Sequence, residues 1–275
     1  MNTFRQRSSI EDRALIRGGG EMGSGVAWRL HRCGFDVLIT EIEHPTAIRR
    51  WVCFAEAVYD GHQKIEGVTA VRVRTMSECQ AAWERNEIAV MVSPDPSRLR
   101  EFKADVLIDA VLAKRNTGVE IGMARRVIGL GPGFVAGDDV DCVIETNRGP
   151  NLGRVIWQGQ AERNTGVPGE LAGETIKRVL RAPGTGVMET ILSIGDEVNV
   201  GDLVARIGDV EVCAKLDGIV RGLMRSGLPV TPGVKIGDID PRNNLSLCGR
   251  ISDKALAIGG GVLEAIFSKP PSTDS

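Results

Sequence analysis

The chain of 275 residues carries 34 Lys and Arg against 36 Asp and Glu, for a formal charge of -2, and 42% of it is hydrophobic. That length suits two domains, and a balanced charge with no long single-sign run argues against nucleic acid or a lipid surface as a partner. Residues 1–13 are polar and mixed in charge rather than a secretory apolar core, and no later apolar run approaches the roughly 20 residues of a membrane span, so the cytoplasm is the expected compartment.

In chain order, residues 14–16 form a short apolar strand that runs into Arg17-Gly18-Gly19-Gly20-Glu21-Met22-Gly23-Ser24-Gly25. A helix follows, with Val26, Ala27, Leu30 and Cys33 on one face, and Gly34 stops it. Residues 35–39 make the next strand, ending at Thr40-Glu41, which completes a β-α-β unit. Ile48, Val52, Ala55 and Val58 predict a helix over 46–59. A strand over 67–74, a helix over 76–85 and strands over 88–92, 104–110 and 126–130 complete a Rossmann-like parallel sheet. One edge of that sheet collects residues 18–25, Glu41, Ser93, Asp109 and the loop 129–133, and ligands of open α/β sheets bind at such an edge.

Beyond about residue 180 the texture changes to short Val, Ile and Leu runs punctuated by Gly, Asp and Pro. At a shift of 32, Ala182 meets Ala214, Gly186 meets Gly218, Gly195 meets Gly227, Val198 meets Val230, Gly201 meets Gly233 and Ile207 meets Ile239. This is an internal repeat, and two copies facing each other predict a pseudo-twofold β-barrel. The pattern Ala182-Pro183-x-x-Gly186-Val187 with Gly195-Asp196-x-Val198-x-x-Gly201-Asp202 resembles the biotinyl/lipoyl carrier fold. The turn at Gly208-Asp209-Val210 has no lysine at its tip and Lys215 comes several residues later, so no lipoyl or biotinyl attachment is expected. The domain boundaries expected are 1–178 for the nucleotide-binding part, 179–242 for the barrel and 243–275 for a C-terminal helix that packs back on the core.

The candidate ligand residues follow from these elements. Gly18-x-Gly20-x-x-Gly23 sits between a strand and a helix, and Glu41 ends the next strand. Glycines there admit a pyrophosphate, the helix start including Ser24 offers N–H groups, and Glu41 could accept from a ribose hydroxyl. The competing reading is tight strand-helix packing with a solvated acid, and Glu21 is an awkward anion beside a phosphate. Lys114 with Arg115 and Asn116, and Gly129, Gly131 and Gly133, could bring cations and free amides to the same edge, or form plain turns. His44, Arg49 and Arg50 either face this cleft or start an exposed helix. Ser252 is the expected N-cap of the last helix, within which Gly259-Gly260-Gly261 implies a close backbone contact, a ligand approach or a break. Cys213 and Cys248 have charged or glycine-rich neighbours that could activate a thiol, although a buried small hydrophobe is the ordinary role of a free cysteine. Histidines His31, His44 and His62, 13 and 18 residues apart, do not have the spacing of a structural zinc site.

As a whole the chain resembles the YqeB-type accessory proteins of selenium-dependent molybdenum hydroxylase systems. The resemblance is carried by residues 16–20 with 25–27, Glu41-Ile42-Glu43-His44-Pro45 with Ile48-Arg49-Arg50, residues 54–59, residues 129–134 with 136–137, Ile144-Glu145-Thr146 with Arg148-Gly149, residues 164–169, residues 235–242, and Ser252-Asp253-Lys254 through Ala265. Its N-terminal half is similar to the Rossmann part of xanthine dehydrogenase accessory proteins, which handle and sulfurate molybdenum cofactor. One departure stands out: Asn147-Arg148-Gly149-Pro150 replaces an expected Met-Arg-Gly-His block.

The resemblance implies a maturation factor that binds a nucleotide-containing cofactor, such as molybdenum cofactor in dinucleotide form, and assists its delivery or selenium insertion. Implied partners are a molybdenum hydroxylase client and selenium- and cofactor-handling proteins, with a homo-oligomer left open. On that reading Asp238, Asp240 and Lys254 close over the ligand or dock the client, and Cys213 or Cys248 could carry selenium. Two rivals remain. An NAD(P)-dependent oxidoreductase lacks an obvious proton donor, Tyr59 being the only tyrosine. A non-catalytic scaffold would keep the glycine loop only for packing.

Overall fold

In the computed structural model, which describes residues 13–164, 166 and 169–269, strands buried on both faces set the architecture. The first sheet contains β1 (Arg13–Arg17), β2 (Asp36–Glu41), β3 (His62–Ile65), β4 (Val68–Val73), β5 (Ile88–Val92), β6 (Val106–Asp109), β7 (Arg126–Leu130), β8 (Cys142–Ile144) and β9 (Val155–Ile156). Their order is β3-β4-β5-β2-β1-β6-β7-β8-β9. From β4 to β8 neighbouring strands are parallel, while β3 and β9 pair antiparallel at the two margins. Because side chains alternate across a strand, Ile16, Ile39 and Ile108 face one way and Leu15, Leu38 and Leu107 the other. The first set is covered by α1 (Glu21–Arg32) and α4 (Asp253–Phe267), the second by α3 (Met76–Glu84) and the 3-10 segment Pro96–Phe102.

The C-terminal strands are β10 (Val179–Arg181), β11 (Gly186–Thr190), β12 (Glu197–Val198), β13 (Leu203–Ile207), β14 (Val210–Cys213), β15 (Gly218–Leu223), β16 (Pro229–Val230) and β17 (Lys235–Asp240). They form two four-stranded antiparallel sheets, β10-β17-β15-β12 and β14-β13-β11-β16. The repeat explains this arrangement. A shift of 32 carries β11 onto β15, β12 onto β16 and β13 onto β17, so each sheet joins two strands of one copy to two of the other. Met188, Val204, Ile219, Leu223, Ile236 and Ile239 share the core so enclosed.

The expected combination of a Rossmann-like parallel sheet with a closed biotinyl/lipoyl-like barrel is therefore corrected on both counts. The large sheet is mixed because Glu66 and Gly67, at φ 43° and 86°, turn the chain into the β3-β4 hairpin, and because β9 folds back on β8. Polar His62-Gln63-Lys64 gave no apolar alternation by which to recognise β3. The C-terminal sheets stay separate: among the described residues no ladder joins them, and β12 and β16, two residues each, are too short to carry pairing from one sheet to the other.

Two further elements differ from expectation or resolve it. The helix predicted over 46–59 is broken into 3-10 turns Arg50–Val52 and Phe54–Glu56 and the four-residue α2 (Ala57–Asp60). Backbone donors that a helix would use internally go to the glycine loop instead, from Phe54 N to Ser24 Oγ at 2.7 Å and from Ala55 N to the Gly19 carbonyl at 3.0 Å. By contrast α4 runs unbroken through its three glycines, with Ser252 Oγ capping the Ala255 amide. A Cβ on Gly259 would lie 3.2 Å from the Gly25 carbonyl, and one on Gly261 would lie 2.0 Å from the Gly153 carbonyl. Gly259 and Gly261 serve close backbone contact, whereas a Cβ on Gly260 would meet nothing within 4 Å.

Candidate functional site

The loop between β1 and α1 lies at the carboxyl edge of the sheet, where strand order reverses about β1 and a crevice opens. Gly18 enters it at φ 97°, a conformation natural to glycine, and its amide bonds the Thr40 carbonyl at 2.8 Å. Ser24 is fully buried: its hydroxyl donates to the Gly19 carbonyl at 2.8 Å and accepts from Phe54 N, so it braces the loop from behind. Gly23 has no room for a side chain, because a Cβ there would stand 2.0 Å from the Gly18 carbonyl. Gly20 differs from both. It is the N-cap of α1, and a Cβ added to it meets nothing within 4 Å.

Above this loop is a cavity of about 480 Å³ lined by Gly18, Gly20, Thr40, Glu41, Ser93, Ala110 and Lys254, among others. Glu41 Oε2 accepts from Gly19 N at 2.7 Å and Oε1 from Ile42 N at 2.8 Å. Burial raises the Glu41 carboxyl above its ordinary range, against the pull of those two amides and Arg17. The hydroxyls of Thr40 and Ser93 are buried and have no hydrogen-bond partner. Two orphan hydroxyls beside an open helix N-terminus leave polar capacity for a ligand, since buried polar groups are ordinarily satisfied.

Glu21, the anion inside the loop, is neutralised within the fold. Arg49 Nη1 reaches Glu21 Oε1 at 2.7 Å, while Arg49 Nη2 donates to the carbonyls of Leu247 and Arg250 at 2.9 and 3.0 Å. Burial alone would raise the Glu21 carboxyl, but Arg49, the Ser252 hydroxyl and Arg221 outweigh it and hold the group below its usual range. Arg49 thereby ties the start of α1 to the segment before α4. Its neighbour Arg50 donates to the Leu223 carbonyl at 2.7 Å, joining the 3-10 turn Arg50–Val52 to β15.

The remaining candidates divide. Lys254 lines the cleft, and its amine is pulled below the ordinary lysine range by burial and by Arg148. Gly129, Gly131 and Gly133 do not line it: their Cβ positions face Phe134, the Thr146 hydroxyl and the Lys114-Arg115 backbone, so they serve loop packing. Lys114, Asp238 and Lys254 line a second cavity of about 360 Å³. Asp238 is buried and paired with Arg178, and Asp240 is held by Arg242 at 2.7 and 2.9 Å. Burial raises the Asp240 carboxyl, yet Arg242 outweighs it and keeps the group ionised more readily than usual.

Cys248 is buried, with Sγ 4.0 Å from the Val220 carbonyl, and burial pushes its thiol up, which is the wrong direction for a nucleophile. Cys213 ends β14 and lines neither cavity. Of the residues carrying the resemblance, Thr165, Val167 and Pro168 lie outside the described residues. Arg148, a matching residue within the departing block 147–150, pairs bidentately with Asp253 at 2.8 and 3.1 Å. Sequence reasoning missed Thr40 and Arg221: nothing in a strand-end Thr or an isolated Arg announces a buried hydroxyl or a buried guanidinium Nε left without a hydrogen bond.

The sheet topology and the glycine-loop crevice define a mixed α/β protein with an attached pseudo-symmetric β unit. The chain is 52% identical over 253 residues, 92% of its length, to the protein named "Uncharacterized protein YqeB" of Escherichia coli strain K12, and it belongs to the YqeB-type family. It spans 47% of that relative's length. No family model matches the chain. Solved structures similar to it include the Ectoine utilization protein EutE (DoeB) from Ruegeria pomeroyi, 12% identical with TM-score 0.26 over 84% of this chain and 85% of that one. An aspartoacylase family protein from Mesorhizobium loti is 16% identical with TM-score 0.27 over the same shares, 84% and 85%. A succinylglutamate desuccinylase/aspartoacylase from Rhodobacter sphaeroides is 25% identical over 31% of this chain and 29% of that one, with TM-score 0.21. Likenesses at these scores transfer no activity. Among the described residues no helix is long and apolar enough to cross a membrane.

Proposed function

We propose that this chain is an accessory factor in the maturation of molybdenum hydroxylases that carry a selenium ligand, and that it binds a nucleotide-containing ligand in the glycine-loop cleft. Molybdenum cofactor in dinucleotide form is the ligand that fits the family resemblance, as cargo to be delivered rather than as a resident group. The observation that carries the binding step is the open face of Gly20 at the start of α1, where a phosphate would meet helix N–H groups and no side chain. Thr40 and Ser93 add unpartnered hydroxyls at the same crevice. The Arg49 pairing of Glu21 offsets the charge that would otherwise oppose a phosphate there.

A scaffold reading draws on a different observation. Glu41 already occupies the Gly19 amide, so the loop is partly satisfied without a ligand. The two readings separate by ligand-induced thermal stabilisation of the purified protein against NAD, NADP, FAD, CTP, CDP and molybdenum cofactor in mono- and dinucleotide forms, each repeated with Gly20→Ala. A concentration-dependent rise that the variant loses supports the cleft and gives the ligand class. Absence of any rise moves the role of this face to protein docking, with the cell-based activity of the client as its readout.

A further inference from the structure

The second cavity lies between the loop-cleft half and the β unit, and its lining is far more basic than a chain of net charge -2 would lead one to expect. Lys114, Arg148, Arg178, Arg221, Lys235 and Lys254 contribute cations, joined by Arg49 and Arg181, against the carboxylates Glu21 and Asp238. Both carboxylates are engaged, Glu21 by Arg49 and Asp238 by Arg178. Arg221 is not matched in this way. Its side chain is only 12% exposed, its nearest acid oxygens are 3.7 Å away on Asp240 and 3.9 Å on Asp238, and its Nε has no hydrogen-bond partner. Asp240 is meanwhile held bidentately by Arg242.

A guanidinium has five donors in a rigid fork suited to planar or tetrahedral oxyanions, and leaving it buried and under-bonded is costly. Lys254 compounds the imbalance. It is half-buried between Arg148, which acts against its charge, and the carboxylates Glu21, Glu145 and Asp253, which favour it, yet among the described residues it makes no ion pair. Such a concentration of like charge in a recess is stabilised by an anion that shares it.

We propose that this cavity is a binding site for a tetrahedral oxyanion of the phosphate class, gripped by Arg221 with Lys254. Lys235 and Lys114 supply the outer rim of positive charge. The site stands by itself, whatever occupies the glycine-loop cleft. Glu21, Met22 and Lys254 line both cavities, however, so the two recesses adjoin. Given the nucleotide reading of the first cleft, a second phosphorylated group on the same ligand would reach this cavity past Lys254.

The test uses inorganic phosphate, pyrophosphate and CDP as probes in titration calorimetry of the full chain at low ionic strength, with Arg221→Gln, Lys254→Gln and Gly20→Ala. The site predicts saturable pyrophosphate binding that Arg221→Gln weakens by about tenfold or more, that Lys254→Gln weakens as well, and that added salt weakens. Gly20→Ala leaves intact the pyrophosphate binding that Arg221→Gln weakens, because Gly20 lines only the first cleft and Arg221 only the second. Binding of CDP that Gly20→Ala abolishes, beside unchanged pyrophosphate binding, would separate the two sites. Absence of saturable pyrophosphate or phosphate binding, or equal affinity in the folded Arg221→Gln and Lys254→Gln variants, would overturn the proposal without touching the nucleotide reading. Should Arg221→Gln fail to fold, Lys235→Gln decides, because Lys235 lines only this cavity.

Discussion

Replacing single glycines in the loop by alanine separates what the loop needs in order to fold from what it needs in order to bind. At Gly23 a new Cβ would sit 2.0 Å from the Gly18 carbonyl and 3.1 Å from Ala110 Cβ, and the first is a backbone atom that cannot rotate away. Either β1 and α1 separate or the loop distorts, and forced overpacking of this kind costs about 1–3 kcal/mol or more. At Gly20 the same methyl meets nothing within 4 Å, and φ is -66°, so the change is confined to the N-cap preference, about 1 kcal/mol at most. With about 2–4 °C per kcal/mol for a domain of this size class, Gly23→Ala lowers the Tm by several degrees and Gly20→Ala by no more than a few. Thermal unfolding followed by circular dichroism measures both, and ligand-induced shifts follow on the same samples. Equal stability of Gly23→Ala and the parent, or a loss at Gly20 matching that at Gly23, would refute this account of the loop.

Thr40→Val together with Ser93→Ala changes stability little, since neither hydroxyl has a protein partner, but weakens any ligand of the cleft, which calorimetry reads directly. Gly25→Ala places a Cβ 2.7 Å from Ala255 Cβ and separates α1 from α4, with an expected loss of about 1–3 kcal/mol in denaturant unfolding. The Asp253 carboxyl is held down to about 2 by its hydrogen bonds from Arg148, so its contribution to stability is present above its ordinary value of 3.8 and is lost as pH falls through about 2. The pair is largely exposed and the effect is small and salt-sensitive; carboxyl titration by NMR, with Arg148→Gln restoring the ordinary value, is the check. Glu41 has the opposite sign. Its raised carboxyl contributes stability below the ordinary value of 4.5 that is lost as pH rises through the folded value, and Glu41→Gln flattens that slope in pH-dependent unfolding. Alkylation mapped by mass spectrometry labels exposed Cys33 in the native protein and spares Cys53, Cys79, Cys142 and Cys248 until unfolding.

Much of the central sheet was legible because buried parallel strands are written as apolar runs: Ile88–Val92 and Arg126–Leu130 coincide with their predicted limits. The repeat was legible too, since equal spacing of Gly and Val survives whichever sheet each strand joins. What spacing does not encode is partnership. The polar β3 acquires its place from the Glu66-Gly67 turn, and the exchange of strands between the two copies depends on which edges meet. In the same way 46–59 has helical periodicity, but the buried Ser24 hydroxyl and Gly19 carbonyl, distant in sequence, capture its amides. At the site, glycine spacing pointed to the loop and a strand end to Glu41, whereas the pairing of Arg49 with Glu21 and the under-bonded Arg221 join residues far apart in sequence that no spacing links.

The central claim, that a ligand bound at Gly20 serves molybdenum hydroxylase maturation, is tested most directly by complementation. Cells in which the gene for this protein is deleted are supplied with the parent gene or with Gly20→Ala, and selenium-dependent hydroxylase activity and enzyme-bound cofactor are measured in their extracts. The account predicts restoration by the parent protein and a marked deficit with Gly20→Ala at equal protein level. Full activity in the deletion cells, or equal restoration by the variant, would contradict it.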